Sequence, residues 1–256
     1  MGFSSGTLWN LSWLGKAGKI PKGARVLEFG SQNVWGDFEI AQLRNFMAIF
    51  GASVPDERLL ADTAPGVKVE QLMRDAGFRY RAFDVYSKGA TRVFDLNTDS
   101  MSWLERGRYD VVTNCGTSEH IANQYNVFKV AHDALKVGGV MMNFVPFHGQ
   151  IDHGLINYHP KFFTNMIADN RYAPLMWGCS EVFQSGAYDS YRNVNLAHYG
   201  PAWEGRTFGC AEMCVIWQKT HRGSFRPPVD ISDTTQQHIS INQLLKDMPD
   251  YSPHWK

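Results

Sequence analysis

The chain has 256 residues and a mass of 29.0 kDa, with 44% hydrophobic and 20% charged residues. That length allows one large domain or two small ones, and the composition excludes a disordered or collagen-like chain. Lys and Arg number 25, as do Asp and Glu. With no basic excess to meet a polyanion, neither nucleic acid nor a membrane surface is an expected partner.

Four cysteines (Cys115, Cys179, Cys210 and Cys214) are too few for a disulfide scaffold and suggest free thiols in a reducing compartment. The charge-free stretch from Val137 to Ile151 is shorter than the ~20 residues that span a bilayer. Residues 1–6 show no signal-peptide pattern, and Gly6 stands where a myristoylation site wants Ser or Thr. The expected location is the cytoplasm.

In chain order, residues 1–22 form an N-terminal segment in which Leu8, Trp9, Leu11 and Trp13 allow a short amphipathic helix. Arg25 to Phe29 reads as a buried strand stopped by Gly30. Phe38, Leu43, Phe46, Met47 and Phe50 recur at helical spacing, with Gly51 as the terminator. Val67 to Ala76 suggests a second helix. Strands are expected at Phe78–Val85, Thr91–Asp95 and Tyr109–Asn114. Ile121, Tyr125, Phe128, Ala131 and Leu135 then line a helix with an aromatic core stripe at Tyr125 and Phe128, closed by Gly138-Gly139. Val140–Val145 has the continuous apolar run of a central strand. Pro160 opens a helix through Ile167. Pro174–Phe183 and Glu212–Lys219 read as strands pairing antiparallel at one sheet edge, with a long polar loop between them and Cys210 and Cys214 as core residues. A short helix is expected at Ile241, Leu244, Leu245 and Met248.

This alternation predicts an α/β fold, Rossmann-like and doubly wound. Its sheet should be mostly parallel and seven-stranded, with an antiparallel edge strand and helices on both faces. The expected layout is a segment 1–22, a domain 23–222 and a tail 223–256.

Such sheets bind ligands at the carboxyl ends of their strands. At the first such end, Glu28-Phe29-Gly30-Ser31-Gln32-Asn33-Val34-Trp35-Gly36 lacks the G-x-G-x-x-G spacing of a dinucleotide turn. The acidic residue before the glycine suits a cationic ligand better than a pyrophosphate. Asp84 and Asp95 close the next two strands. A carboxylate there can accept ribose hydroxyls, although an Asp at such a position is otherwise a turn or cap residue.

The run Val26–Gly36 resembles motif I of class I S-adenosylmethionine (SAM)-dependent methyltransferases, in the branch that reads G-S-x-x-V-x-G. Tyr109–His120 is similar to the family's fourth motif, including its Glu-His pair, and Leu135-Lys136-Val137-Gly138-Gly139-Val140 resembles its L-K-P-G-G segment with Val137 in place of Pro. His153–Phe163 also resembles sequences of this branch. The separation of Glu28 from Asp84 exceeds the ~20 residues usual in a βαβ unit, which an insertion at about Ala52–Gly66 would explain.

The resemblance implies SAM as cofactor and S-adenosyl-L-homocysteine as product. Gly30, Ser31, Gln32 and Gly36 would line the methionine moiety, with Glu28 at its ammonium end. Asp84 would hold the ribose, Asp95 and Leu96 the adenine, and Asn114, Cys115 and Gly116 the sulfonium end. His120, with Glu119, is the first candidate for taking a proton from the acceptor, the alternative being a cap or a brace for the cofactor loop. His148, His153, Tyr158 and His159 could form the acceptor pocket. No adjacent ligand set completes a metal site with these histidines, so none is expected. The acceptor would be a small molecule or a glycan, methylated at oxygen or nitrogen. The competing readings are a nicotinamide-dependent oxidoreductase, and a non-catalytic SAM-fold protein that binds a partner through Trp9, Trp13 and the tail.

Overall fold

A computed structural model of the chain describes residues 2–36, 38–86, 92–185, 188–195 and 210–230. The helices are α1 (Ser5–Lys16), α2 (Ile40–Phe50), α3 (Asp56–Asp62), α4 (Glu70–Asp75), α5 (Gln124–Ala134) and α6 (Pro160–Asp169). The strands are β1 (Arg25–Phe29), β2 (Arg79–Asp84), β3 (Arg92–Val93), β4 (Tyr109–Cys115), β5 (Leu135–His148), β6 (Ala173–Ser185), β7 (Tyr188–Asn195) and β8 (Cys210–Gln218). One tight helical turn, Ser118–His120, follows β4.

The strands form one sheet in the order β3-β2-β1-β4-β5-β8-β6-β7. β3, β2, β1, β4 and β5 are parallel neighbours, and β8, β6 and β7 continue the sheet antiparallel. This is the expected doubly wound class, with eight strands among the described residues and an antiparallel side three strands wide. β8 is not at the edge: it lies between β5 and β6. β7 falls where a polar loop was expected, because its sequence alternates polar residues with Tyr and Val and has no apolar run. The expected helix near Ile241 lies outside the described residues.

Helices cover both faces. On one, Leu8, Leu11 and Leu14 of α1, Phe46 and Phe50 of α2, Leu59 of α3 and Leu72 of α4 pack with Val26, Val111 and Val140. On the other, Val127 and Phe128 of α5 and Phe163 and Ile167 of α6 pack with Leu27, Val112 and Met141. Successive residues of β1 alternate between the two clusters, as the period of a strand requires.

Several boundaries move for local reasons. The helix expected from Val67 begins only at Glu70, because residues 67–69 bond to the segment after Gly30: Val34 N donates to Val67 O (2.8 Å) and Val69 N to Gln32 O (3.2 Å). In the stretch expected as an insertion, α3 forms behind Pro55 with Asp56 and Glu57 in its first turn, where acids meet the positive helix end. α5 stops at Ala134, not at Gly138-Gly139, since Leu135 already pairs with Tyr109. Lys219 Nζ caps that end by donating to His132 O (2.5 Å) and Leu135 O (2.9 Å). Tyr125 is not a core residue: it is half exposed and lies against Phe225, while Phe128 is buried. Cys214 is buried in β8 and Cys210 is partly exposed. Among the described residues, no helix is long and apolar enough to cross a membrane.

Leu11 of α1 is wholly buried, so α1 belongs to the core. Leu11→Ala is expected to cost about 2–5 kcal/mol, read as a fall in the urea midpoint. Leu60→Ala, at an exposed position of α3, should stay within about 0.5 kcal/mol.

Candidate functional site

The strand order reverses between β1 and β4, so a crevice opens there at the carboxyl ends of the strands. β1 ends in a turn at Gly30, whose φ is +70°. Gly30 N donates to Phe83 O of β2 (2.8 Å). A Cβ at Gly30 would lie 2.4 Å from Thr117 Oγ1 and 2.8 Å from Gln32 Nε2. The Thr117 hydroxyl donates to Phe29 O (2.6 Å) and accepts from Gln32 Nε2 (2.7 Å), which binds the β1 turn to the loop after β4.

Asp84 stands at the same place. Its Oδ2 accepts from Ser31 N (2.8 Å) and its Oδ1 from Tyr86 N (3.1 Å). A carboxylate has about four acceptor sites, so capacity remains for a ligand. Lys68 reaches across to Ser31 O. Gly30, Ser31, Gln32, Asp84 and Thr117 are thus brought together from three strand ends.

Other candidates are held differently. Glu28 is buried beneath the turn, where its Oε2 accepts from Gln32 N (3.1 Å) and from the Tyr80 hydroxyl. Burial pushes its pKa up to about 7. Asp95 lies just beyond β3 and closes its own turn by accepting from Asn97 N (2.8 Å). Leu96 is buried in the cluster with Phe83 and Phe94. Asn114 is buried and bonded to Ser118 and Asn143, and it braces the turn after β4. Cys115 is buried facing Thr7 of α1, and burial holds its thiol well above the usual range. Gly116, at φ +80°, donates to Phe144 O (3.0 Å). Gly36 follows the bridges that pair Val34 with Phe3 and Asn33 with Lys68.

The candidates after β4 and β5 divide in two. Glu119, His120 and His153 converge: His153 Nε2 lies 3.3 Å and His120 Nε2 3.9 Å from Glu119 Oε1. Burial raises the Glu119 pKa to about 7 and lowers that of both histidines, so the imidazoles are neutral at neutral pH. The others are held differently. His159 caps α6, its Nδ1 accepting from Lys161 N (3.1 Å). Tyr158 is buried, with its hydroxyl 2.6 Å from Ser118 Oγ and 2.5 Å from Gln124 Oε1. His148 ends β5 opposite Ala211 of β8.

Sequence reasoning missed Thr117, Tyr80 and Lys68. Thr117 follows Gly116 directly and was within reach. Tyr80 and Lys68 act only through long-range contacts and carry no local signal. A separate cavity of about 430 Å³, lined by Arg106, His132, Asp133, Lys136, Lys219 and Arg222, lies at the opposite, amino-terminal end of β4 and β5.

No family model matches the chain, and no curated protein matches it. Solved structures do. The 1,6-didemethyltoxoflavin-N1-methyltransferase of Burkholderia thailandensis, with bound 1,6-didemethyltoxoflavin and S-adenosylhomocysteine, is 12% identical over 84% of this chain and 78% of its own, with a TM-score of 0.43. A SAM-dependent methyltransferase from Archaeoglobus fulgidus is 11% identical over 82% of this chain and 93% of its own, with a TM-score of 0.48.

The protonation of Glu28 gives a test of the buried turn. Its folded pKa of about 7 exceeds the ordinary value of 4.5, so the stability it lends is full below the ordinary value and is lost as pH rises through about 7. Glu28→Gln should therefore gain on wild type between about pH 5 and about pH 8, by up to about 3 kcal/mol. Urea midpoints at the two pH values check this, and a constant difference would refute it.

Proposed function

We propose that the chain is a SAM-dependent methyltransferase that moves the SAM methyl group to a small-molecule or glycan-type acceptor at oxygen or nitrogen and leaves S-adenosyl-L-homocysteine. The observation that carries this is the contact of Ser31 N with Asp84 Oδ2 (2.8 Å), which joins the Gly30 turn to the end of β2 at the switch point. A ligand there meets close backbone on one side and a carboxylate on the other, which suits the amino-acid and ribose parts of SAM. The absence of a G-x-G-x-x-G turn disfavours a dinucleotide.

In this proposal Gly30, Ser31 and Gln32 line the methionine moiety, and Asp84 accepts from the ribose hydroxyls. Asp95 and the exposed Val85 and Tyr86 border the adenine. Asn114, Cys115 and Gly116 shape the sulfonium end through the backbone. Glu28 holds the turn from beneath through Gln32 N and the Tyr80 hydroxyl. Residues 23–222 carry the transferase domain, and α1 from the preceding segment backs the crevice against Cys115.

The methyl group passes in line from sulfur to a lone pair on the acceptor. The S–CH₃ bond breaks, its electron pair stays on sulfur as a neutral thioether, and the acceptor atom gives up a proton. Because the sulfonium is already activated, the protein's task is to orient the acceptor and exclude water. Glu119 and His120, on the turn just past Thr117, are the proposed groups on the acceptor side. Cys115 and Cys214 carry free thiols, in keeping with a cytoplasmic setting.

Titration calorimetry with SAM and with NAD tests the proposal. SAM should bind and NAD should not. Asp84→Ala and Gly30→Val should each weaken SAM roughly tenfold or more, with the fold checked by circular dichroism. Wild-type affinity in both variants would sink the site. In a methyl-donor consumption screen that reads S-adenosylhomocysteine, His120→Ala should lower turnover far more than SAM affinity. Unchanged turnover would make His120 a structural residue.

A further inference from the structure

Glu119, His120 and His153 each offer a donor atom, and these atoms lie within 4.8 Å of one another. Glu119 and His120 sit on the tight turn after β4, whereas His153 comes from the loop after β5. The loop is pinned to the turn by backbone: Leu155 N and Ile156 N both donate to Glu119 O (2.8 and 3.1 Å). Gly154, between His153 and Leu155, lies so close that a Cβ there would be 2.9 Å from Glu119 Cγ. The juxtaposition is thus built by the chain and is not a chance meeting of surface side chains.

The hydrogen bonding of the cluster is incomplete. The Glu119 side chain is 0% exposed, and among the described residues neither carboxylate oxygen has a hydrogen-bond partner outside Glu119 itself. His153 Nε2, 3.3 Å from Glu119 Oε1, is likewise buried without one. A carboxylate removed from water with both oxygens unsatisfied is costly unless a cation meets it.

We propose that Glu119, His120 and His153 bind one divalent first-row transition cation. Two imidazoles and a carboxylate are the ligand set such ions take, whereas Mg²⁺ and Ca²⁺ favour all-oxygen surroundings. The spacing agrees. Ligands on a tetrahedral Zn²⁺ stand roughly 3.3 Å apart, given bonds of about 2.0–2.1 Å, and the Glu119–His153 pair is already there. His120 has to approach by well under an ångström on the Glu119 side, and its side chain is 49% exposed and able to turn. Three protein ligands leave at least one position for water or another oxygen ligand, the pattern of a catalytic ion and not of a closed structural one.

The binding assignment stands on the cluster alone. Its consequence for the acceptor rests on the methyl-transfer reading: an acceptor hydroxyl or carboxylate would enter the open position, and the cation would make a hydroxyl there more acidic. The favoured acceptor is then one with an oxygen free to ligate.

The full chain, stripped with chelator and dialysed against Zn²⁺ or Mn²⁺, should retain about one equivalent by elemental analysis. Co²⁺ should give the visible absorption of a low-coordinate site, and Mg²⁺ should not displace it. His153→Ala and His120→Ala should each weaken binding roughly tenfold or more while keeping the native circular dichroism spectrum. These half-exposed positions carry the test if the buried Glu119→Gln variant does not fold. The inference is overturned if wild type retains no cation, or if both histidine variants retain as much as wild type. SAM calorimetry is read separately. Cation binding without SAM binding removes the transferase reading and leaves the site, and the reverse leaves the transferase reading and removes the site.

Discussion

The left-handed turn at Gly30 is the constraint on which the crevice depends. Thr117 Oγ1 stands where a side chain would begin, so the position takes a residue with no Cβ on steric grounds as well as on φ. That close approach lets three strand ends share one small volume. Phe29 O takes the Thr117 hydroxyl, Phe83 O takes the Gly30 amide, and Asp84 takes the Ser31 amide. Each such bond contributes only about 0.5–1.5 kcal/mol net, yet breaking one strands a buried polar group at about 1–3 kcal/mol. The turn is therefore held more firmly than the sum of its bonds implies.

The buried polar groups around it divide by whether they are satisfied. Asn114, Ser118, Asn143, Tyr158 and Gln124 form a connected net that fixes the turn after β4 to β5 and to the chain before α6. Glu119, next in sequence to Ser118, is equally buried, and among the described residues no other residue donates a hydrogen bond to its carboxylate. A satisfied polar net thus stands directly beside a buried carboxylate that lacks such bonds. The fold meets the cost of that group elsewhere, in the two apolar clusters on the faces of the sheet.

The opposite end of the sheet shows the contrast. Asp110 accepts from Arg25 N (2.8 Å) and pairs with Lys136, which locks β1, β4 and β5 at their starts. His132 is neutral, its pKa lowered to about 4 by burial, and its two nitrogens are taken by Tyr172 and Gly223. Asp110 is engaged by Arg25 N and the Lys136 ion pair, and both His132 nitrogens have partners within the chain. The ion pairs on the outer helices, such as Arg44 with Asp56, are exposed and screened by solvent, so they add little. The strand starts thus carry polar groups engaged within the chain, whereas Asp84 at a strand end keeps acceptor capacity to spare.

Local patterns determined much of this protein. The apolar run of β1, the helical spacing of Leu43, Phe46, Met47 and Phe50, and the glycines at 30 and 51 announce their elements because each signal is complete within one turn or strand. Asp84 was legible for the same reason: a carboxylate at a strand end needs only its own strand to be placed. Tertiary structure alone decided that residues 67–69 leave their helix to pair with the Gly30 segment, that Gly138 lies within β5 and does not end α5, and that β7 forms from a polar run. It alone brought Tyr80 to Glu28 and His153 to Glu119. The reason is physical: a hydrogen bond or close approach between distant residues depends on the order in which strands lie side by side, and that order is set by burying both faces of the sheet at once.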